Sequence, residues 1–231
     1  MAVMIAHRGY SGKFPGNTAL AFREAAKHGS GGAETDIRRT RDGVFVTNHN
    51  AEVVFADGEE MTIAEHTFAE LSAKPLRNTL TEDDVRLCSF REYLGIMREN
   101  GMICFIELKD DFSEDDVKAV FALAAEVYDL KKCILQSFSF ENLIRARELF
   151  PDLPLMWTYG GEMTGWERCF ERGFSIDASK KVLTEEMIEA FHARGLEAAV
   201  WTVNDEETLA KYRALGVDYI ESDVFGGEEN P

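Results

Sequence analysis

The 231-residue chain is 45% hydrophobic and 29% charged, and its 42 acidic against 25 basic residues give a formal net charge of −17. Such a surface repels nucleic acid and anionic lipid headgroups, and any anionic substrate must find positive charge inside an acidic envelope. The length suffices for one sizeable core, so a single domain over residues 1–231 is expected.

No long uncharged apolar stretch is present, which excludes a transmembrane helix. The start MAVMIAHRGY lacks the basic residues and apolar run of a signal peptide. A cytoplasmic protein without stable membrane association is the expectation. Cys88, Cys104, Cys133 and Cys169 are far apart with no CxxC spacing, so they read as reduced thiols filling core space.

In chain order, Val3–Ala6 reads as a buried strand. Thr18–His28 is apolar at Ala19, Ala21, Phe22, Ala25 and Ala26, which predicts a helix. Ala33–Ile37 is a second strand, and Val44–Asn48, after the Asp42-Gly43 turn, a short antiparallel addition to it. Residues 51–87, rich in acidic and turn residues, predict an extended irregular loop with a small helix near Ala64–Ser72. Ser89 is placed to cap a helix running to Asn100, with Glu92 as its capping-box partner.

Then follow strand Met102–Leu108, helix Ser113–Tyr128, strand Cys133–Gln136 and helix Ser139–Leu149, ended by Pro151. Strand Leu153–Thr158, helix Thr164–Arg172 and strand Phe174–Ile176 come next. Helix Thr184–Arg194 is stopped by Gly195, and strand Leu196–Val203, helix Asp205–Leu215 and strand Asp218–Glu221 complete the pattern. The tail GGEENP reads as frayed. Eight strands alternating with helices predict an α/β fold, a (β/α)8 TIM barrel with a short extra strand and an irregular loop after strand two.

In such a barrel functional groups gather at the C-terminal strand ends. Those ends here carry His7-Arg8, Glu34/Asp36/Arg38, Glu107/Lys109, Gln136, Trp157, Asp177, Trp201/Asn204 and Glu221/Asp223, whereas the strand beginnings are blander. Glu34 and Asp36, two apart on a strand, point to one face, and their repulsion is relieved by a cation or a proton. Ordinary salt bridges to Arg38 or Arg39 are an equal alternative for that pair alone. Glu107, at the end of the apolar run Ile103–Ile106, tips the balance, because an unpaired carboxylate there is costly. Three carboxylates form a hard oxygen site that suits one Mg²⁺ or Ca²⁺ ion better than zinc.

His7 and His49 read as an acid/base pair flanking a phosphorus atom. His28, His66 and His192 read as solvated helix or loop residues. Arg8 and Lys109 can hold phosphate oxygens. Trp201 is core by spacing, although at a strand mouth it can wall a leaving group.

These residues resemble the glycerophosphodiester phosphodiesterase family. The shared pattern is His7-Arg8-Gly9, Pro15-Gly16-Asn17-Thr18, Glu34-Thr35-Asp36, Asp42-Gly43 and His49-Asn50, followed by Phe105–Lys109, Gln136-Ser137-Phe138 and Trp201–Asn204. The resemblance spans almost the whole chain. It implies a TIM barrel that hydrolyses a small-molecule glycerophosphodiester to an alcohol and glycerol 3-phosphate. By position it implies Glu34, Asp36 and Glu107 as metal ligands, His7 and His49 as catalytic pair, and Arg8 and Lys109 on the phosphate. The short segment after the second histidine is similar to compact bacterial-type forms.

Two positions depart from the family pattern: Gly16 stands where it has glutamate and Asn50 where it has aspartate. Rival readings are a phosphodiesterase acting on a lysophospholipid, inositol or sugar phosphodiester, or a non-catalytic barrel that binds phosphorylated ligands. Oligomeric state has no signature in the sequence.

Overall fold

The computed structural model describes residues 2–161 and 165–227. The elements in order are β1 (Val3–Ala6), α1 (Ala19–Lys27), β2 (Gly32–Arg39), β3 (Phe45–Thr47), β4 (Glu52–Val54), β5 (Glu60–Thr62), α2 (Phe68–Ser72) and α3 (Phe90–Asn100). There follow β6 (Ile103–Leu108), α4 (Glu114–Val127), β7 (Cys133–Ser137), α5 (Phe140–Leu149), β8 (Leu155–Tyr159), α6 (Arg168–Arg172), β9 (Ser175–Ser179), α7 (Glu185–His192), β10 (Ala198–Trp201), α8 (Glu206–Leu215) and β11 (Tyr219–Ser222).

Strands run in the order β1, β11, β10, β9, β8, β7, β6, β2, and β1 pairs again with β2, so eight parallel strands close into a barrel. The addition β3 lies antiparallel on β2, with Ile37 opposite Thr47. This is the expected (β/α)8 TIM barrel with an extra strand. Among the described residues no helix follows β11, and the seven connections between successive barrel strands hold α1 to α8, with α2 and α3 both between β2 and β6.

The barrel interior follows from the two-residue period of a strand. Ile5, Phe105, Ile134, Met156 and Ala199 meet inside as a dry plug, with Val3, Ile103 and Tyr219 packed against them. Two residues further along the same strands come His7, Glu107, Gln136, Thr158, Trp201 and Glu221. An apolar floor and a polar mouth are therefore two turns of one alternation. Register sets depth: Asp36 is level with Glu107, while Glu34 is level with Phe105 of the plug.

Outside the barrel a larger core joins strands to helices through fully buried Phe22, Tyr93, Phe121, Phe174, Phe191 and Tyr212. Side-chain oxygens of Thr18, Ser89, Ser113, Ser139, Thr184 and Asp205 cap the helices that follow them. Thr184, whose Oγ1 accepts from Met187 N at 3.3 Å, lies far along the chain from the site motifs. Thr184→Ala is expected to lower unfolding free energy by about 1 kcal/mol, read from denaturant midpoints at unchanged slope.

Four expectations change. Residues 51–87 are not one irregular loop: β4 and β5 form an antiparallel hairpin, and Val46, Val53, Phe55, Ile63, Leu71 and Leu87 pack into a small separate core. Its apolar residues are too widely spaced to show a period, yet they converge in space. The strand expected to end at Ile176 continues to Ser179, because its inward face is Ser175, Asp177 and Ser179, a polar run that hides the alternation. The helix expected over Thr164–Arg172 is found as Arg168–Arg172; its first expected residue lies outside the described residues, as do residues 228–231 of the tail.

The Ser89 box is also half made. Ser89 Oγ accepts from Glu92 N at 3.1 Å, but the Glu92 carboxylate turns to Arg23 at 3.2 Å. All four cysteines are free and buried. Among the described residues no helix is long and apolar enough to cross a membrane.

Candidate active site

The His7-Arg8-Gly9 motif forms the turn leaving β1. Arg8 sits in the left-handed region at φ 59, which costs a non-glycine residue about 1 kcal/mol or more. That backbone aims Arg8 N at Glu34 Oε2, 2.9 Å away. Gly9 has φ 77, and a Cβ there would lie 2.6 Å from the Ala21 carbonyl carbon, so only glycine lets α1 close over the turn.

Asn17 is the organiser that the sequence reading passed over. Also at positive φ (59), its Nδ2 donates to Asp36 Oδ2 at 2.6 Å, and its Oδ1 accepts from Thr35 Oγ1 at 2.9 Å and Asp36 N at 3.2 Å. Asparagine tolerates this backbone better than most residues, and its amide holds donor and acceptor together. The signal was present in the Pro-Gly-Asn-Thr string, but a neutral amide carries no charge to attract notice.

Glu34, Asp36 and Glu107 are buried and offer carboxylate oxygens within 4.8 Å of one another. Neither Arg38 nor Arg39 neutralises the pair: Arg38 goes to Asp110 at 2.7 Å and to the His49 carbonyl, and Arg39 to Asp116 at 3.0 Å. The cations that do approach are Arg8, with Nε 3.2 Å from Asp36 Oδ2, and Lys109, with Nζ 2.9 Å from Glu107 Oε1 and 3.3 Å from Asp36 Oδ1. Even so, Glu34 Oε1, Asp36 Oδ1 and Glu107 Oε1 are buried without an aligned hydrogen-bond donor.

Electrostatics separates the three acids. Burial, then repulsion from Asp36, Glu221 and Glu107, drives Glu34 well above the ordinary carboxylate range. Burial and Asp36 also raise Glu107. Burial opposes the charge on Asp36 as well, but Arg8, Lys109 and the Asn17 hydrogen bond outweigh it and hold Asp36 low. Burial likewise works against the Lys109 ammonium, and Glu107 and Asp36 reverse that.

The two imidazoles line the same small cavity as Glu107 and Lys109. His7 Nδ1 lies 2.7 Å from Asp223 Oδ1. His49 Nδ1 lies 2.9 Å from Asn50 Oδ1, so the asparagine retains a hydrogen bond to the ring without supplying charge. With Nδ1–H donated in each case, Nε2 of each ring is left to exchange a proton with a bound molecule. Burial first, then Arg8 and Lys109, lowers the His49 pKa.

The other histidines stand apart from the mouth. His66 Nδ1 bonds the Thr62 carbonyl, His192 pairs with Asp218, and His28 lies against the Tyr10 ring.

Burial would raise Asp223, but hydrogen bonds from His7, Asn204 and Ser11 and the His7 charge hold it at about 2. Its unfolded value is 3.8, so its stabilisation is complete above about pH 4 and is lost as pH falls toward 2. Asp223→Asn is expected to remove about 2 kcal/mol of unfolding free energy at neutral pH and almost nothing near pH 2. Denaturation curves for both proteins across that range would check it.

A small cavity of about 90 Å³ inside the mouth is lined by His7, Glu107, Lys109, Asp177, Trp201 and Glu221, among others. Trp201 is held by Nε1 donating to the Asp177 carbonyl at 3.1 Å and meets the half-exposed Phe138 edge to face at 5.8 Å. Trp157, by contrast, turns outward against Phe140 and Arg168. A wider groove of about 350 Å³ runs outside, between Gly16 and the segments around Val53 and Leu80; Arg8 and His49 border both spaces. A Cβ on Gly16 would lie 3.2 Å from Arg8 Cβ and 3.3 Å from Ser11 Cβ, so a glutamate here would need both neighbours to give slightly.

A parallel barrel that gathers acids, two imidazoles and two cations at its C-terminal mouth has the make-up of the phosphoric diester hydrolases. Comparison specifies it. The sequence pattern of the glycerophosphoryl diester phosphodiesterase family matches residues 7–226, and the chain belongs to that family. It is 28% identical to YhdW of Bacillus subtilis, over 95% of this chain and 93% of that protein. It is 23% identical to the glycerophosphodiester phosphodiesterase of Bacillus altitudinis, over 96% of this chain and 95% of that protein. Among solved structures, an Oleispira antarctica phosphodiesterase in complex with its product sn-glycerol-3-phosphate superposes with a TM-score of 0.87 at 21% identity, over 96% of this chain and 93% of that one.

Proposed function

We propose that this chain, as one domain, hydrolyses a glycerophosphodiester to an alcohol and glycerol 3-phosphate with the help of one divalent cation, Mg²⁺ or Ca²⁺. The observation that carries this is the cluster of three buried carboxylates, Glu34, Asp36 and Glu107, which have a single lysine, Lys109, between Asp36 and Glu107 and no aligned hydrogen-bond donor on Glu34 Oε1. An all-oxygen, anionic donor set fits a hard cation. When bound, that cation supplies charge neutralisation to the phosphoryl oxygens.

The remaining work falls to side chains. Arg8 and Lys109 bind and orient the phosphate and offset developing negative charge. His49, whose surroundings lower its pKa, takes the proton from the attacking oxygen through Nε2. His7 protonates the departing ester oxygen, and Asp223 fixes its ring and balances the imidazolium charge. A phosphate at the junction of the two spaces directs its alcohol arm into the outer groove, with Trp201 and Phe138 as an apolar wall on the inner side.

The test is release of glycerol 3-phosphate from glycerophosphocholine or glycerophosphoethanolamine by the purified protein with Mg²⁺ or Ca²⁺, and its loss on chelation. Turnover indifferent to chelation would remove the cation from the mechanism. A lysophospholipid is the second reading, favoured by Leu80, 53% exposed on the outer groove, and by Phe138, 50% exposed. Higher kcat/KM on the lysophospholipid than on glycerophosphocholine would select it.

A further inference from the structure

The mouth contains more negative charge than one cation accounts for. Glu34, Asp36, Glu107, Asp177 and Glu221 are all buried. The nearby cations, Arg8 and Lys109, are both spent on the Asp36–Glu107 side. Among the described residues no ion pair reaches Asp177 or Glu221. Five buried carboxylates face Arg8, Lys109 and one divalent ion, and the acids left without a counter-ion, Asp177 and Glu221, must take either a proton or a further cation. Isolated buried carboxylates are costly unless something neutralises them.

The geometry on that side is that of a ligand set. His7, Glu34 and Glu221 offer donor atoms within 4.8 Å of one another, a second group sharing Glu34 with the first. An independent feature points into the same space. Asp177 is wholly buried, neither of its carboxylate oxygens has a hydrogen-bond partner, and it lines the small cavity beside His7 and Glu221. Glu221 Oε1, Gln136 Oε1 and Thr158 Oγ1, in the same lining, are also without partners. Burial, then repulsion from Glu107 and Glu34, pushes Asp177 well above the ordinary carboxylate range, and burial and Asp177 do the same to Glu221, the direction expected of acids that lack a counter-ion.

His7 is prepared as a ligand. Its Nδ1 is held by Asp223 at 2.7 Å, which leaves Nε2 to coordinate. A carboxylate behind an imidazole is the usual support of a metal-bound histidine. One nitrogen with carboxylates is a borderline donor set, suited to Zn²⁺ rather than to Mg²⁺ or Ca²⁺.

We propose that His7, Glu34 and Glu221, backed by Asp177, form a second cation site selective for Zn²⁺-class ions, and that filling it inhibits hydrolysis by taking Nε2 of His7. The inhibition rests on the role of His7 in proton transfer proposed above; the binding does not. A site of this kind makes the enzyme sensitive to the ratio of soft to hard divalent ions.

The experiment titrates Zn²⁺ into Mg²⁺-saturated protein by calorimetry, with metal content measured after desalting and turnover followed in parallel. One Zn²⁺ per chain is expected to bind with Mg²⁺ retained, and turnover to fall in proportion to Zn²⁺ occupancy. Glu221→Gln and Asp177→Asn are each expected to weaken Zn²⁺ roughly 10–100-fold while Mg²⁺ affinity holds, with thermal melts as the check on folding. Zn²⁺ replacing Mg²⁺ one for one, or binding both variants as tightly as the parent, would overturn the site. Second-site binding in a protein that turns over nothing would instead count against the proposed function and leave the site standing.

Discussion

Replacing His7 or His49 with alanine is expected to lower kcat by roughly 10²–10⁴-fold each, the usual contribution of a positioned proton-transfer group. Neither ring is a core residue, since His7 hangs on Asp223 at the mouth and His49 on the polar Asn50 side chain. The melt of His49→Ala is therefore expected to move little, whereas His7→Ala forfeits the part of the Asp223 stabilisation that His7 supplies, roughly 1–2 kcal/mol or a few degrees. The division of labour can be read from the leaving group. A p-nitrophenyl ester of glycerophosphate departs without protonation, so it no longer needs an acid. His7→Ala is then expected to recover most of its lost rate on that substrate, and His49→Ala to recover none. Equal losses on both substrates for both variants would sink the assignment of acid and base. The contrast rests on what stands behind each ring, a carboxylate for His7 and an amide for His49.

Glu107→Gln is expected to reverse its effect on stability according to whether a hard cation is present. In chelator the substitution removes one of three mutually repelling buried carboxylates, one whose pKa burial and Asp36 already raise. The variant is then as stable as the parent or more so. With cation at a hundred times its dissociation constant, the parent gains about 2.7 kcal/mol by mass action. For a chain of this size that is roughly 5–10 °C in Tm. The variant is expected to lose that gain together with turnover. Differential scanning with and without Mg²⁺ or Ca²⁺ reads it directly, and a Tm rise in the variant equal to the parent's would exclude Glu107 as a ligand. Lys109 shapes the result: Nζ sits between Glu107 and Asp36, where an incoming cation must share or displace it.

How the site is legible depends on the kind of signal each residue carries. Charged and imidazole groups at the ends of apolar strands declare themselves, because burial of a charge is expensive and therefore informative. His7, Glu34, Asp36, His49, Glu107 and Lys109 were found in this way, and the fold brings them to one mouth. Asn17 did not stand out, because it acts through neutral amide hydrogen bonds and a left-handed backbone that no local pattern announces. Asp177, Glu221 and Asp223 were visible only as polarity at strand ends. Their separation from His7 in the chain, 216 residues for Asp223, hid their partners.

The primary structure by itself determined the alternation of strand and helix, the apolar floor and the polar rim, since these follow from periods of two and 3.6 residues read along one segment at a time. It also determined which charged and imidazole groups stand at the strand ends. Only the tertiary structure decided depth and pairing: that Glu34 lies a layer below Asp36, that Arg38 turns away to Asp110, that Asn50 keeps its bond to His49, and that β4 and β5 form a hairpin over their own core. The reason is physical. Local periodicity sets which face a side chain takes, whereas closing the barrel fixes register between strands distant in sequence, and register decides which buried charges meet.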